Sequence, residues 1–462
     1  MLFNSVEFLF VFLPITYLVF WGLPSAKARY VWLAVTGYVF YSYWNPWFTL
    51  LMLFSTLVSF GAGLGLLRWT DERRRKLCVA IPVTADLLLL GFFKYANFGL
   101  ATTRTVTGWF GHPVEVPHLN IILPIGISFY TFHTISYIVD SYRGVIKPTR
   151  NFFEFAAYVS LFSQLVAGPI VRFRQIEQDL ENLGRADRTR WLTRGISFFV
   201  VGLVEKVVVA DSLAAFVDPA LAQYTSLSTA GTWIAMLGYT FQLYFDFSGY
   251  STMAVGLGYM FGLRIPQNFN SPYKALDPAD FWRRWHISLS TCMRDYLYIP
   301  FGGNRGSTME TYRNLMLTML IGGLWHGAAW TFVFWGGYHG VLLALHRWQA
   351  KRWDMLPAWF RQGAMFLAAV IGWVFFRATD FTMALRLLRR MFLPADGLVP
   401  EQLPLVLMAL LVAGLWAMRG PNAFELKHEW RWPGRLALAS AFGAVLALIV
   451  GNRPSPFLYF QF

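Results

Sequence analysis

Long apolar stretches follow one another along the whole chain: Val6–Leu23, Tyr30–Trp44, Trp47–Leu67, Leu77–Phe93, Leu119–Val139, Phe152–Val171, Gly195–Val217, Gly231–Phe261, Leu315–Leu345, Ala364–Phe376, Leu403–Met418 and Leu436–Val450. A helix needs about 20 apolar residues to cross a bilayer, so the pattern predicts an all-α integral membrane protein with roughly ten to twelve membrane helices. Several runs are too short to cross upright and are expected to tilt, break or re-enter. The longest polar stretches, Arg172–Arg194 and Arg264–Trp285, are too short for a core of their own. Residues 1–462 are therefore expected to form a single polytopic domain.

Charge around the first runs sets an orientation. Lys27 and Arg29 follow the first run, and the turn Asn45-Pro46-Trp47 is uncharged. Arg68, Arg73, Arg74, Arg75 and Lys76 fill the next turn, and Asn97–His118 has only Arg104 of the Lys/Arg type. Basic residues collect in cytoplasmic loops, which places the N-terminus outside and the Arg73 cluster in the cytoplasm. Further on the alternation fails. Arg143–Arg150 and Arg172–Arg194 are both basic, although only Phe152–Val171 lies between them. That run ends in Ala167-Gly168-Pro169, which cannot continue a regular helix. It is expected to be re-entrant or in-plane, and irregular backbone at that depth is tolerated only inside protein or along a cavity. Leu315–Leu345 presents the same conflict, with Arg305 and Arg313 before it and Arg347, Lys351 and Arg352 after it. The spacings Gly61/Gly65, Gly258/Gly262, Gly323/Gly327 and Gly336/Gly340 let helix backbones approach closely.

Composition narrows the function. Of 462 residues, 56% are hydrophobic and 14% charged, against roughly 25% charged in a soluble domain. Lipid must therefore solvate much of the surface. A net charge of +14 would suggest nucleic acid in a soluble protein. Here the basic residues sit in short clusters between apolar runs, which is topology and contact with anionic lipid, and no nucleic acid is expected. Cys78 and Cys292 form no disulfide or thiolate-metal pattern. The first run has no basic leader and no A-x-A cleavage site, so it reads as a membrane helix.

Polar residues at membrane depth are costly and mark candidate sites. The densest group runs from Asp280 to Arg305. Trp282, Trp285 and Leu289 fall at i, i+3, i+7, as do Arg283, His286 and Ser290, which predicts an interfacial helix with an aromatic face and a polar one. A basic membrane anchor without chemistry would give the same pattern. The second group is Gly322-Gly323-Leu324-Trp325-His326-Gly327-Ala328-Ala329-Trp330, in a run uncharged from Leu315 to Leu345. An imidazolium is costly in hydrocarbon, and a neutral imidazole is a competent general base. The glycines leave room for a substrate, and Trp325 and Trp330 could wall a tunnel. A structural histidine bonded to a neighbouring helix is the competing reading. His339 and His346 share a helix face, but no third ligand accompanies them and no metal site is expected. Asp246 suits an ion pair or a helix–helix hydrogen bond as well as a catalytic part. There is no Gly-x-Ser-x-Gly elbow, and Gly61-x-Gly63-x-Gly65 lacks the spacing of a dinucleotide site.

Phe281-Trp282-Arg283-Arg284-Trp285-His286-Ile287-Ser288-Leu289-Ser290, Arg294-Asp295-Tyr296-Leu297-Tyr298, Gly302-Gly303-Asn304-Arg305-Gly306 and Gly323-Leu324-Trp325-His326-Gly327-Ala328 together resemble the membrane-bound O-acyltransferases. The likeness runs along the whole chain and is greatest to the bacterial branch that acetylates exopolysaccharides. Leu123–Phe129, Ala167-Gly168-Pro169, Gln242–Tyr250 and Ser455–Phe462 look like that branch's alginate-acetylating members. Details at the N-terminus and a shorter Arg419–Arg435 region depart from them. The resemblance implies a ring of membrane helices around a thin centre, with a central tunnel. It matches the family's near-invariant histidine to His326, and a second position, His or Asn in different branches, to His286.

The activity so implied is acyl transfer in the bacterial inner membrane, with a periplasmic N-terminus and acetyl-CoA as the cytoplasmic donor. His326 would deprotonate the incoming hydroxyl, and His286 would orient the donor or stabilise the oxyanion. Arg283, Arg284 and Arg294 would attract the phosphates of CoA. A periplasmic SGNH-type acetyltransferase partner would complete the transfer to the exopolysaccharide, alginate by resemblance, with cellulose or another envelope polymer as the alternative. A polysaccharide or lipid transporter without acyl chemistry would also use broken helices. Teichoic-acid D-alanylation is a third possibility within the same fold.

Overall fold

A computed structural model of the chain describes residues 1–112, 114–165, 168–185, 187–451 and 457–458, which form helices joined by loops. Four of the described helices are long and apolar enough to cross a membrane: Phe48–Arg68, Glu72–Trp109, Ala358–Arg377 and Trp432–Gly451. Other apolar runs are carried by shorter helices, among them Phe8–Gly22 and Leu403–Arg419. The chain divides into two compact units, Met1–Ile196 with Ala254–Pro266, and Ser197–Met253 with Gln267–Phe462.

In the first unit, two helix starts show side-chain capping. Ser25 Oγ accepts from the Ala28 N–H at 3.2 Å ahead of Ala26–Ser42, and Asp71 accepts from the Arg74 N–H at 3.0 Å ahead of Glu72–Leu90. Each satisfies a backbone donor that has no partner within its helix. The unit's core is aromatic, with the Phe8, Phe12, Phe40 and Phe162 rings at centroid separations of 5.3 to 6.4 Å. The buried Asp86 accepts from the Ser55 and Thr134 hydroxyls, both at 2.6 Å. The run Phe152–Val171 is broken, as its basic flanks require: Phe152–Val159 and Phe162–Leu165 are separate helices. The Gln164 amide donates to the Tyr158 carbonyl at 2.7 Å, and the Tyr158 hydroxyl donates to the Val171 carbonyl at 3.0 Å. Backbone freed by the break is thus satisfied inside protein. Ala167 of the Ala167-Gly168-Pro169 motif lies outside the described residues.

In the second unit, Leu315–Leu345 is not one span. It is a helical hairpin, Thr308–His326 and Trp330–Asp354, with Gly327 and Ala329 in extended backbone at the turn. This resolves the conflict of charge, because an antiparallel pair returns Arg347 and Lys351 to the end where Arg313 lies. The helices approach at glycines. A Cβ at Gly323 would run into the Phe332 carbonyl, one at Gly336 into the Met319 carbonyl, and one at Gly340 into the Met316 sulfur. Ser307 and Glu310 start the hairpin with a reciprocal capping box.

The continuous interfacial helix expected across Asp280–Ser290 is not formed. Pro278–Arg284 and Ile287–Met293 are separate helices, with Trp285 extended and His286 left-handed between them. Arg283 is exposed and His286 fully buried, so they share no polar face. Asp246 proves to be an ion pair. Lys206 Nζ lies 2.6 Å from its Oδ1 and 2.7 Å from Asp211, and the Leu458 N–H donates to Asp246 Oδ2 at 3.0 Å. Of the terminal motif Ser455–Phe462, only residues 457–458 are described.

Because the hairpin packs backbone against backbone, Gly336→Ala should lower stability by about 1–3 kcal/mol, read as a lower thermal midpoint in detergent. Gly363, whose added Cβ would meet open space, supplies the control, and Gly363→Ala should leave the midpoint unchanged or raise it. Equal behaviour of the two variants would mean that the hairpin does not depend on that approach.

Candidate functional site

His326 is the last residue of the Thr308–His326 helix, where the uncharged run turns back on itself. Its ring is buried and edge-packed: Trp325 and Trp335 stand at 5.0 Å with interplanar angles of 74° and 89°, and Phe376 at 5.4 Å and 70°. Gly327 is needed directly after it, because a Cβ there would enter the Phe332 ring. Trp330, expected to wall the site, is instead half exposed, and Trp335 takes that place.

His286 reaches the same region from a different helix break. Its φ of 44° and ψ of 55° are left-handed, a conformation that costs a non-glycine residue about 1–3 kcal/mol and persists only where the surroundings impose it. Asn268 imposes it. Its backbone carbonyl accepts from the Ile287 N–H at 2.9 Å, and its side-chain Oδ1 accepts from the Ser288 N–H at 3.2 Å and the Ser288 hydroxyl at 2.8 Å. The Asn270 N–H donates to the Arg284 carbonyl at 2.9 Å. Donors and acceptors that would have continued the helix are therefore taken by the Asn268–Asn270 segment. The His286 ring packs edge-on against Phe247 at 4.7 Å. The imidazole centroids of His286 and His326 are 6.3 Å apart.

A cavity of about 240 Å³ opens beside the His326 ring, and His286 is not among its lining residues. Its walls include Trp282, Met293, Met319, Gly322 and Trp335, with Ser290, Arg294, Tyr298, Thr318 and His326 as polar residues. It thus extends from a buried imidazole to an exposed guanidinium, which also pairs with Asp295 at 2.7 Å. Arg283 and Arg284 lie on the preceding helix and contact Asp280 at 3.7 and 3.0 Å, and they are not among the lining residues of this cavity. His339 is packed among Phe281, Trp282 and Trp335 at 6.0, 5.1 and 4.9 Å.

Asn268 escaped the sequence reading. Its bonds to residues 286–288 depend on a loop folding back, and an asparagine in a polar stretch carries no periodic signal. Lys206 escaped because Gly195–Val217 was read as a plain apolar run.

Residues 121–384 match the membrane-bound O-acyltransferase family. The chain is 44% identical to the probable alginate O-acetylase AlgI of Azotobacter vinelandii, with 100% of both proteins covered. It is 40% identical to the protein of the same description from Pseudomonas putida, again with 100% of both covered. It is 37% identical to the peptidoglycan O-acetyltransferase of Helicobacter pylori, over 85% of this chain and 80% of that protein.

The left-handed backbone at residue 286 separates two substitutions of similar bulk. Asparagine visits that region readily, and a β-branched residue does not. His286→Val should therefore unfold more readily than His286→Asn by roughly 1–2 kcal/mol in thermal or denaturant titrations of the purified protein. Indistinguishable stabilities would contradict the helix break at this position.

Proposed function

The chain belongs to the membrane-bound O-acyltransferase family, and from that premise we propose that it takes an acetyl group from cytoplasmic acetyl-CoA and passes it across the inner membrane for O-acetylation of an exopolysaccharide, alginate. The protein is a multi-pass membrane acyltransferase, and membership of the family sets aside a transporter without acyl chemistry. One observation carries the mechanism: a buried imidazole, His326, lines a cavity that reaches an exposed arginine, with His286 close by.

In this reading the acetyl thioester enters from the basic cytoplasmic face. Arg294, at the exposed end of the cavity, attracts the phosphates of CoA, and Arg283 and Arg284 add to the local positive field. His326 takes the proton of the incoming hydroxyl as that oxygen attacks the thioester carbon. The tetrahedral intermediate collapses with rupture of the C–S bond, and the thiolate recovers the proton. Base catalysis of this kind contributes typically 10²–10⁴-fold. Residues 1–462 act as one polytopic domain, with the N-terminus periplasmic and a passage connecting both aqueous sides to His326. An SGNH-type periplasmic acetyltransferase receives the acetyl group and completes the transfer.

Full-length similarity to probable alginate O-acetylases supports alginate as the polymer. Similarity to a peptidoglycan O-acetyltransferase supports a second reading, peptidoglycan. Deleting the gene and measuring ester-bound acetate in each purified polymer separates them, since loss should be confined to alginate. His326→Ala should reduce that acetate at least a hundredfold while the protein still accumulates in the membrane. Ordinary acetylation by the variant would end the assignment of His326 as the base.

A further inference from the structure

Hydrogen bonds around His286 fix which of its nitrogens carries the proton. Asn268 Oδ1 accepts from the Ser288 backbone N–H at 3.2 Å and from the Ser288 hydroxyl at 2.8 Å, while Asn268 Nδ2 donates to Ser251 Oγ at 3.1 Å. A backbone N–H can only donate, so the amide atom facing it must be the oxygen. Turning the amide over would set donor against donor. The same Oδ1 lies 3.2 Å from His286 Nδ1. An amide oxygen can only accept, so Nδ1 bears the hydrogen. The weaker contact of Nδ1 with Ser288 Oγ at 3.4 Å agrees, since that hydroxyl gives its own proton to Asn268 and keeps a lone pair for Nδ1–H. A neutral imidazole then has its remaining lone pair on Nε2. That atom is buried, with no hydrogen-bond partner among the described residues.

We propose that Asn268 is a positioning residue that holds His286 in the Nδ1–H form, making its Nε2 the proton acceptor behind His326. The proposal rests on the acyl-transfer reading above and assigns His286 its part in that reaction. A bare lone pair cannot steady the oxyanion of the tetrahedral intermediate, which calls for a donor. His286 is therefore not the oxyanion's partner in this form. Ring centroids 6.3 Å apart exclude a direct ring-to-ring hydrogen bond, so the proposed link runs through one bridging water. When the acceptor's O–H bond breaks, its proton goes to His326. The resulting imidazolium shares its other N–H, through the water, with His286 Nε2, which disperses the charge. As the new C–O bond forms and the C–S bond breaks, the proton leaves His326 for the thiolate. Protons balance and no electrons are transferred.

The test begins with the protein as isolated, labelled with ¹⁵N-histidine, with His286 assigned by the signals missing from His286→Gln. A pyrrole-type Nδ1 and a pyridine-type Nε2 are expected. A protonated Nε2, or averaging between the two forms, overturns the proposal. This readout needs no acyl donor, so its failure is distinct from failure of the acyl-transfer reading. Kinetics then test the consequence in membrane vesicles given acetyl-CoA. Asn268→Ala should lower kcat about tenfold or more with KM nearly unchanged, because the partner that fixes a catalytic histidine's tautomer acts on turnover. Asn268→Asp keeps an oxygen on Nδ1–H and should recover most of the rate. Wild-type kcat in Asn268→Ala, or folded Asn268→Asp as slow as Asn268→Ala, contradicts it.

Discussion

A helix in a membrane can be interrupted only where protein satisfies the backbone groups that the interruption releases. The site depends on this constraint more than on any single contact. Both histidines stand at interruptions: His326 on the last residue before the hairpin turn, His286 in a left-handed step between short helices. At such places a side chain leaves the crowded helix face and can be presented to a cavity. At His286 the released groups are taken by Asn268 and Asn270. At His326 the turn is made of small residues, and the Phe332 ring occupies the space a side chain at Gly327 would need. Chemistry and backbone architecture therefore share the same residues.

Much of this was legible in the sequence, for physical reasons. Apolar runs and a charge deficit can only mean lipid as solvent, and basic residues on both sides of Leu315–Leu345 could not be reconciled with a single crossing. The hairpin is the answer to that arithmetic. The two polar clusters were visible because polar residues at depth have no cheap explanation. Periodicity misled at Asp280–Ser290. An i, i+3, i+7 pattern detects what a helix would display but is blind to a long-range hydrogen bond that stops the helix. Asn268 does this from an earlier loop, so His286 is buried where a polar face had been expected. Of the basic residues singled out, Arg294 reaches the cavity, whereas Arg283 and Arg284 face Asp280.

The surroundings of His326 suit a neutral base. Aromatic edges and aliphatic walls offer little to a charged ring and much to an acetyl thioester. A buried ion-pair cluster of this unit, Lys206 with Asp246 and Asp211, involves no residue that lines the cavity. Charge is thus concentrated in a structural cluster, while the cavity keeps His326 and Arg294 as its ionisable groups apart from the Tyr298 phenol.

The most direct test is a structure of the protein with a thioether analogue of acetyl-CoA that binds without transferring its acyl group. The carbonyl carbon should lie within attacking distance of a hydroxyl hydrogen-bonded to His326, with the phosphates extending toward Arg294. An analogue seated away from both residues, with this cavity empty, would contradict the account.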